Sequence, residues 1–156
     1  MDFVSDGLAS GRVVRVLTVM DNYTRECLAL EVELTGRRVT RVLERITRQR
    51  RRPTRLRVDN GPEFVSRWFQ SWCDQQGIRR HYTQPGKPMQ NATIESFNGR
   101  LRDECLNANW FRNLQHAPLA IEAWRADYNQ GRPHSSLAYR TPEEFARGEF
   151  PVMTGG

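Results

Sequence analysis

The chain has 156 residues, 38% of them hydrophobic and 27% charged, which suits one globular domain with a real core and excludes a disordered polymer. No apolar run approaches the roughly 18 residues of a membrane span, and MDFVSDG lacks the basic-then-apolar pattern of a leader, so the expected setting is cytoplasmic. The formal net charge is +6, and of 24 basic residues only Lys87 is a lysine.

Arginine suits phosphate recognition because its planar fork donates paired hydrogen bonds. A GC-rich genome produces the same bias, so position says more than composition. Ten arginines and one acid, Glu44, lie between Arg37 and Arg57. A solvated helix face is the bland explanation, but so lopsided a stretch reads better as a nucleic-acid contact. Cys27, Cys73 and Cys105 are odd in number and never paired as CxxC, which predicts buried free thiols. His81, His116 and His134 show no metal-ligand spacing and read as structural or surface residues.

Taken in order, DFV is a short extended segment and DGLASGR supplies a turn. VVRVLTVM and CLALEVEL are β-branched, apolar strands flanking DNYTRE, so the first three strands form an antiparallel meander. Val39, Val42, Leu43 and Ile46 then recur at helical spacing, with Arg38, Arg41, Arg45 and Arg48 on the opposite face and Pro53 closing the helix. LRVD is a fourth strand, stopping at Asn60-Gly61. Phe64, Val65, Trp68, Phe69, Trp72 and Cys73 form the apolar face of a second helix ended by Gly77, and IRRHYT is the fifth strand. QPGKPMQ reads as a loop without regular structure. Asn91 is placed to cap a third helix lined by Ile94, Phe97, Leu101 and Cys105. A fourth helix is predicted over residues 114–128 with Ala120, Ile121, Trp124 and Tyr128 inward, followed by a short capped helix at Thr141-Pro142-Glu143-Glu144. The order βββαβαβαα predicts an α/β domain over residues 1–147, a mixed five-stranded sheet flanked by helices, with 148–156 as a tail.

Two acids stand out. Asp59, in VDNGPEF, ends a strand where ligand-binding side chains often sit, though Asp-Asn-Gly is also ordinary turn chemistry. Glu95, in NATIESFNGRLRDE, lies near a helix N-terminus, and complementing the helix dipole explains it as readily as catalysis. Asn98, Gly99 and Arg102 share its face, so a carboxylate and a phosphate-binding arginine would project together. Asp103 and Glu104 read as solvent-side charges. Carboxylates that hold two divalent metals against a phosphodiester normally number three, and Asp2 is the obvious third.

The segments MDFVSDGL, LTVMDNYTRECLALEVE, RVDNGPEF, QPGKPMQNATIESFNGRLRDECLN and WRADYNQGRPHSSLAYRTPEEFA resemble the integrase core of bacterial insertion-sequence transposases. More narrowly they are similar to the second-reading-frame product of the IS-three type, a relative of retroviral integrases, and the resemblance covers nearly the whole chain. It implies an RNase H-like fold and a catalytic, metal-binding acidic triad of Asp2, Asp59 and Glu95. Asp6 and Asp21 are neighbours of Asp2 that the resemblance leaves outside the triad. It implies two Mg²⁺ (or Mn²⁺) ions, cleavage and strand transfer of DNA during transposition, and no covalent enzyme intermediate. DNA contacts are implied for Arg102, Lys87, Asn91 and Asn98, joined by Arg38, Arg41 and Arg45 of the basic helix. The partners implied are element ends and target DNA, with a homo-oligomer when active and association with the bacterial nucleoid when bound. Such relatives carry an upstream DNA-binding region and several residues of the first strand before its aspartate. Here Met1 directly precedes Asp2, so the expectation is an N-terminally truncated core. The competing expectation is an inactive remnant that binds DNA without catalysis. QRRRPTRLR departs from the family's more usual glycine before the proline.

Overall fold

The computed structural model describes residues 1–7, 11–33, 38–108 and 115–148. Strands β1 (Asp2–Gly7), β2 (Val13–Met20) and β3 (Cys27–Glu33) form the antiparallel meander that their alternating apolar residues demand, with Asp2 opposite Thr18 and Thr18 opposite Leu30. Helix α1 (Val39–Gln49) leads to β4 (Arg55–Val58), which pairs in parallel with β5 (Arg79–Tyr82) through an intervening helical crossover.

Both faces of β2 are covered, as the period-2 geometry of a strand allows. Val14 and Val16 face a core shared with Phe97, Leu101, Ile121 and Trp124, whereas Leu17 and Val19 face one shared with Val42, Leu43, Phe64 and Phe69. The first set of partners comes from α4 (Ala92–Leu101) and α5 (Ala117–Gly131); the second comes from α1, α2 (Pro62–Val65) and α3 (Arg67–Gln76). Each fully buried Val, Leu or Phe contributes about 1.5–3 kcal/mol. The three cysteines are buried and free, as expected.

The structure differs from the sequence reading at several points. The five strands lie in two sheets, because β1 and β4 do not form a ladder; they meet where Met1 N donates to the Arg57 carbonyl at 2.8 Å. Asp6 lies within β1, which runs on to Gly7, rather than in the following turn.

The second helix is broken. Ser66 adopts extended backbone (φ −62°, ψ 145°), and its hydroxyl accepts from Phe69 N to cap α3. The break turns Val65 and Trp68 outward, at 44% and 68% exposure, whereas Phe64, Phe69, Trp72 and Cys73 are buried as expected. The QPGKPMQ stretch is less irregular than expected, since Pro88–Asn91 forms one 3-10 turn, and Asn91 precedes α4 without a side-chain cap bond.

The helix predicted over 114–128 is observed as Ala117–Gly131, with residue 114 outside the described residues. Gly77 ends α3 in a left-handed conformation (φ 67°), and Thr141 with Glu144 forms a full capping box on α6 (Pro142–Ala146). Most of the tail from 148 to 156 lies outside the described residues.

Candidate functional site

Asp2 opens β1 and Asp59 follows β4, so the contact between these strands brings their carboxyl groups within interacting range. Burial first, and then the facing Asp59, push the Asp2 carboxyl above the usual carboxylate range, against the pull of the Phe3 N–H donated to its Oδ1 at 2.8 Å. From α4, Asn98 donates Nδ2–H to Asp2 Oδ2 at 2.9 Å. Its own Oδ1 is buried without a partner. Asn98, expected as a DNA contact, is buried on the sheet side of its helix, where its amide holds Asp2.

The turn after β4 is tight. Gly61 N donates to Asp59 Oδ1 at 2.8 Å, and a β-carbon at Gly61 would stand 2.8 Å from that same oxygen. Two residues on, Glu63 pairs with Arg15 of β2, whose guanidinium lies 4.1 Å from the Phe3 ring centroid. Phe3 in turn packs on Phe64, with ring centroids 5.5 Å apart. Arg15 therefore ties the Asp59 turn to the meander, and the hydrogen bond from Arg15 holds the Glu63 carboxyl below its ordinary range. Arg15 carried one sequence signal, a lone charge inside VVRVLTVM; Glu63 stood in the VDNGPEF motif without a role.

Glu95 lies in the first turn of α4, three residues before Asn98, exposed and without a hydrogen bond or ion pair among the described residues. Among the described residues no three His, Cys, Asp or Glu side chains stand close enough to hold a metal ion, so the structure assembles two of the three expected acids. Asp21 is occupied elsewhere, accepting from the Tyr23 and Thr24 amides at 2.8 and 3.2 Å, and Asp6 bonds the Gly7 amide.

The expected DNA-binding residues are dispersed. Lys87 is exposed before the 3-10 turn, and Asn91 lines a cavity of about 620 Å³ that contains none of the three acids. Arg102 is exposed and opens a π turn, in which its carbonyl accepts from Asn107 N at 2.7 Å. Arg38, at the N-cap of α1, and Arg41 and Arg45 on it are exposed, with Arg45 paired to Glu31. Arg50, within the basic stretch, spends its charge on buried Glu26 through bonds of 2.6 and 2.7 Å.

The donor set of the Asp2–Asp59 pair suits a hard divalent cation: facing carboxylates that repel one another, and an orphaned amide oxygen beside them. Among the described residues no helix is long and apolar enough to cross a membrane.

Comparison with known proteins places the chain in a family and a fold. Two models described as integrase core domain match residues 1–88 and 76–142. An uncharacterized 31.7 kDa protein of insertion element IS407 from Burkholderia multivorans is 50% identical over 148 residues, covering 94% of this chain and 53% of that protein. The transposase for insertion sequence element IS904 from Lactococcus lactis is 31% identical over 93 residues, covering 59% of this chain and 37% of that one. The chain thus spans about half the length, or less, of these relatives. The HTLV-2 integrase catalytic core domain, solved in complex with magnesium as a dimer, superposes with a TM-score of 0.69 at 18% identity, covering 92% of this chain and 91% of that one. That likeness shows the RNase H-like fold.

Proposed function

The chain belongs to the integrase core family, and from that premise we propose that it is the catalytic core of an insertion-sequence transposase, cutting DNA strands and joining them to new partners. One observation carries the reading: the Asp2 and Asp59 carboxyl groups face each other, with Asn98 holding the first and the Gly61 amide the second. Two like charges are brought together at a cost that a bound cation repays.

Asp2 and Asp59 would hold divalent metal, and Glu95, with no competing partner, would complete the donor set from α4. Mg²⁺ or Mn²⁺, two ions expected, supplies activation of water or a 3′-hydroxyl and stabilisation of the leaving 3′-oxygen. The chain's own residues supply position. The Asn98 amide keeps Asp2 aimed at Asp59, and the Arg15–Glu63 pair keeps the Asp59 turn against β1. Arg102 and Lys87 bind flanking phosphates as exposed cations, and Arg38 and Arg41 offer a second basic surface on α1. The substrates are the element's ends and target DNA. A homo-oligomer fits this role, since two ends must be cut together.

The test is nicking and joining of end-labelled DNA duplexes in Mg²⁺ or Mn²⁺, comparing wild type with Glu95→Gln. Metal-dependent products that fall at least about a hundredfold in the variant are expected, in line with loss of an electrostatic catalytic group. DNA binding without products, and with no effect of Glu95→Gln, would leave a nonenzymatic DNA-binding domain.

A further inference from the structure

A cavity of about 170 Å³ opens beside α4, bounded by Arg25, Thr93, Ser96, Arg100, His134 and Ser136. It is smaller than the roughly 300–1,000 Å³ that encloses a whole drug-sized ligand, so it fits a chemical group of a larger molecule. Thr93, Ser96 and Arg100 fall at helical spacing on α4, on a different stripe from Glu95, Asn98 and Arg102. The cavity is thus separate from the acidic site yet shares its helix.

Its chemistry is one-sided. No acid lines it, and neither Arg25 nor Arg100 forms an ion pair among the described residues. Arg132, the next cation, is already engaged by Glu104 and Asp127. Arg25 is held in place: its backbone is left-handed (φ 63°), its amide donates to the Asp21 carbonyl at 2.8 Å, and its Nη1 donates to Thr93 Oγ1 at 2.7 Å. A non-glycine residue kept in that conformation is a frequent mark of a binding site. His134 stands edge-on to Tyr128, with ring centroids 5.2 Å apart, and its Nε2 is buried with no hydrogen-bond partner. Burial, then the charges of Arg100, Arg25 and Arg132, hold this imidazole below its ordinary range. Two guanidinium groups outside any ion pair, of which Arg100 feels the charge of Glu104, three hydroxyls and an orphaned ring nitrogen form a set of polar groups that lacks an anionic acceptor.

We propose that this cavity seats a phosphate of the DNA backbone, a second anchor on the far side of α4 from the carboxylates. The proposal rests on the reading that the chain acts on DNA. A helix is about 10 Å across with its side chains, and α4 would separate the anchored phosphate from the one being cut. The strand would then be gripped at two points on one rigid element, and the anchor fixes register without reading sequence.

The test follows the imidazole resonances of the full chain by NMR in metal-free buffer. His134 is assigned by His134→Gln, and the probes are inorganic phosphate and a short duplex. The expected result is a rise in the apparent pKa of His134 with duplex and with millimolar phosphate, because a bound anion favours the charged ring. Arg100→Gln, at an exposed position, is expected to weaken duplex binding about tenfold and to lower the slope of log affinity against log salt by about one. An Arg79→Gln control, exposed on β5, should do neither. A His134 that titrates identically with saturating duplex, or an Arg100→Gln protein with unchanged salt slope, overturns the anchor while leaving the transposase reading standing. A response to phosphate but not to duplex marks a small-anion site and also overturns it. A wild-type chain that neither binds nor cuts duplex removes the premise itself.

Discussion

A β-carbon at Gly61 would stand 2.8 Å from the Asp59 oxygen that the Gly61 amide binds. The backbone there has φ −59°, so alanine is tolerated as conformation and only the close approach is lost. Gly61→Ala should therefore keep the fold, with a melting temperature within a few degrees of wild type, while weakening Mn²⁺ binding by about tenfold or more. Calorimetric titration checks this; an unchanged affinity would detach Asp59 from the metal.

Glu63 offers a pH test. Its carboxyl is held low by Arg15, so in acid the unfolded chain binds more protons than the folded one, and stability falls with pH. The pair's contribution is full above the ordinary glutamate value of about 4.3 and is lost as pH drops through the depressed folded value. Its loss should cost about 1.5–3 kcal/mol, the range for hydrogen bonds to charged groups. Glu63→Gln should lower stability at neutral pH and flatten the acid limb of the melting profile. Asp59 and Glu95 stood out by motif, but the contacts that Arg15 and Asn98 make did not. Their partners lie 48 and 96 residues away in sequence, and no local pattern encodes such contacts.

At the scale of elements, α2 is one turn long yet carries Phe64, fully buried between Phe3 and Phe69, with its carbonyl accepting from the Tyr82 hydroxyl at 2.7 Å. This turn anchors the Asp59 loop to both sheets. Phe64→Ala should cost about 3–5 kcal/mol, measurable by denaturant unfolding; a loss below 1 kcal/mol would mean that the turn is not held by its core. The break at Ser66 was hidden because Phe64 through Cys73 satisfy a single helical stripe on paper. A hydroxyl able to cap the following helix wins locally, and Trp68 reaches back to Thr40 through a 3.2 Å bond instead of entering the core. The meander, by contrast, was legible to the residue in β2, where apolar, mostly β-branched residues run from Val13 to Met20 with only Arg15 and Thr18 polar.

Across the whole molecule, two apolar cores sandwich the meander, and the meeting of β1 with β4 of the second sheet brings together two carboxylates that repel each other. Under the proposed function, stability is given up there for metal binding, a common trade at active sites. The basic face of α1 and the cavity at His134 lie outside that pair, so under the proposed function some of the DNA contacts fall on parts of the framework remote from the cut. The most direct measurement is thermal unfolding of wild type and Asp59→Asn with and without Mn²⁺. The asparagine retains an oxygen for the Gly61 amide but removes the repulsion with Asp2. In the absence of metal the variant should melt higher, by about 2–4 °C for each kcal/mol relieved, and Mn²⁺ should raise the melting temperature of wild type alone. An equal Mn²⁺ shift in both proteins, or a variant that melts lower without metal, would contradict a metal site built on Asp2 and Asp59.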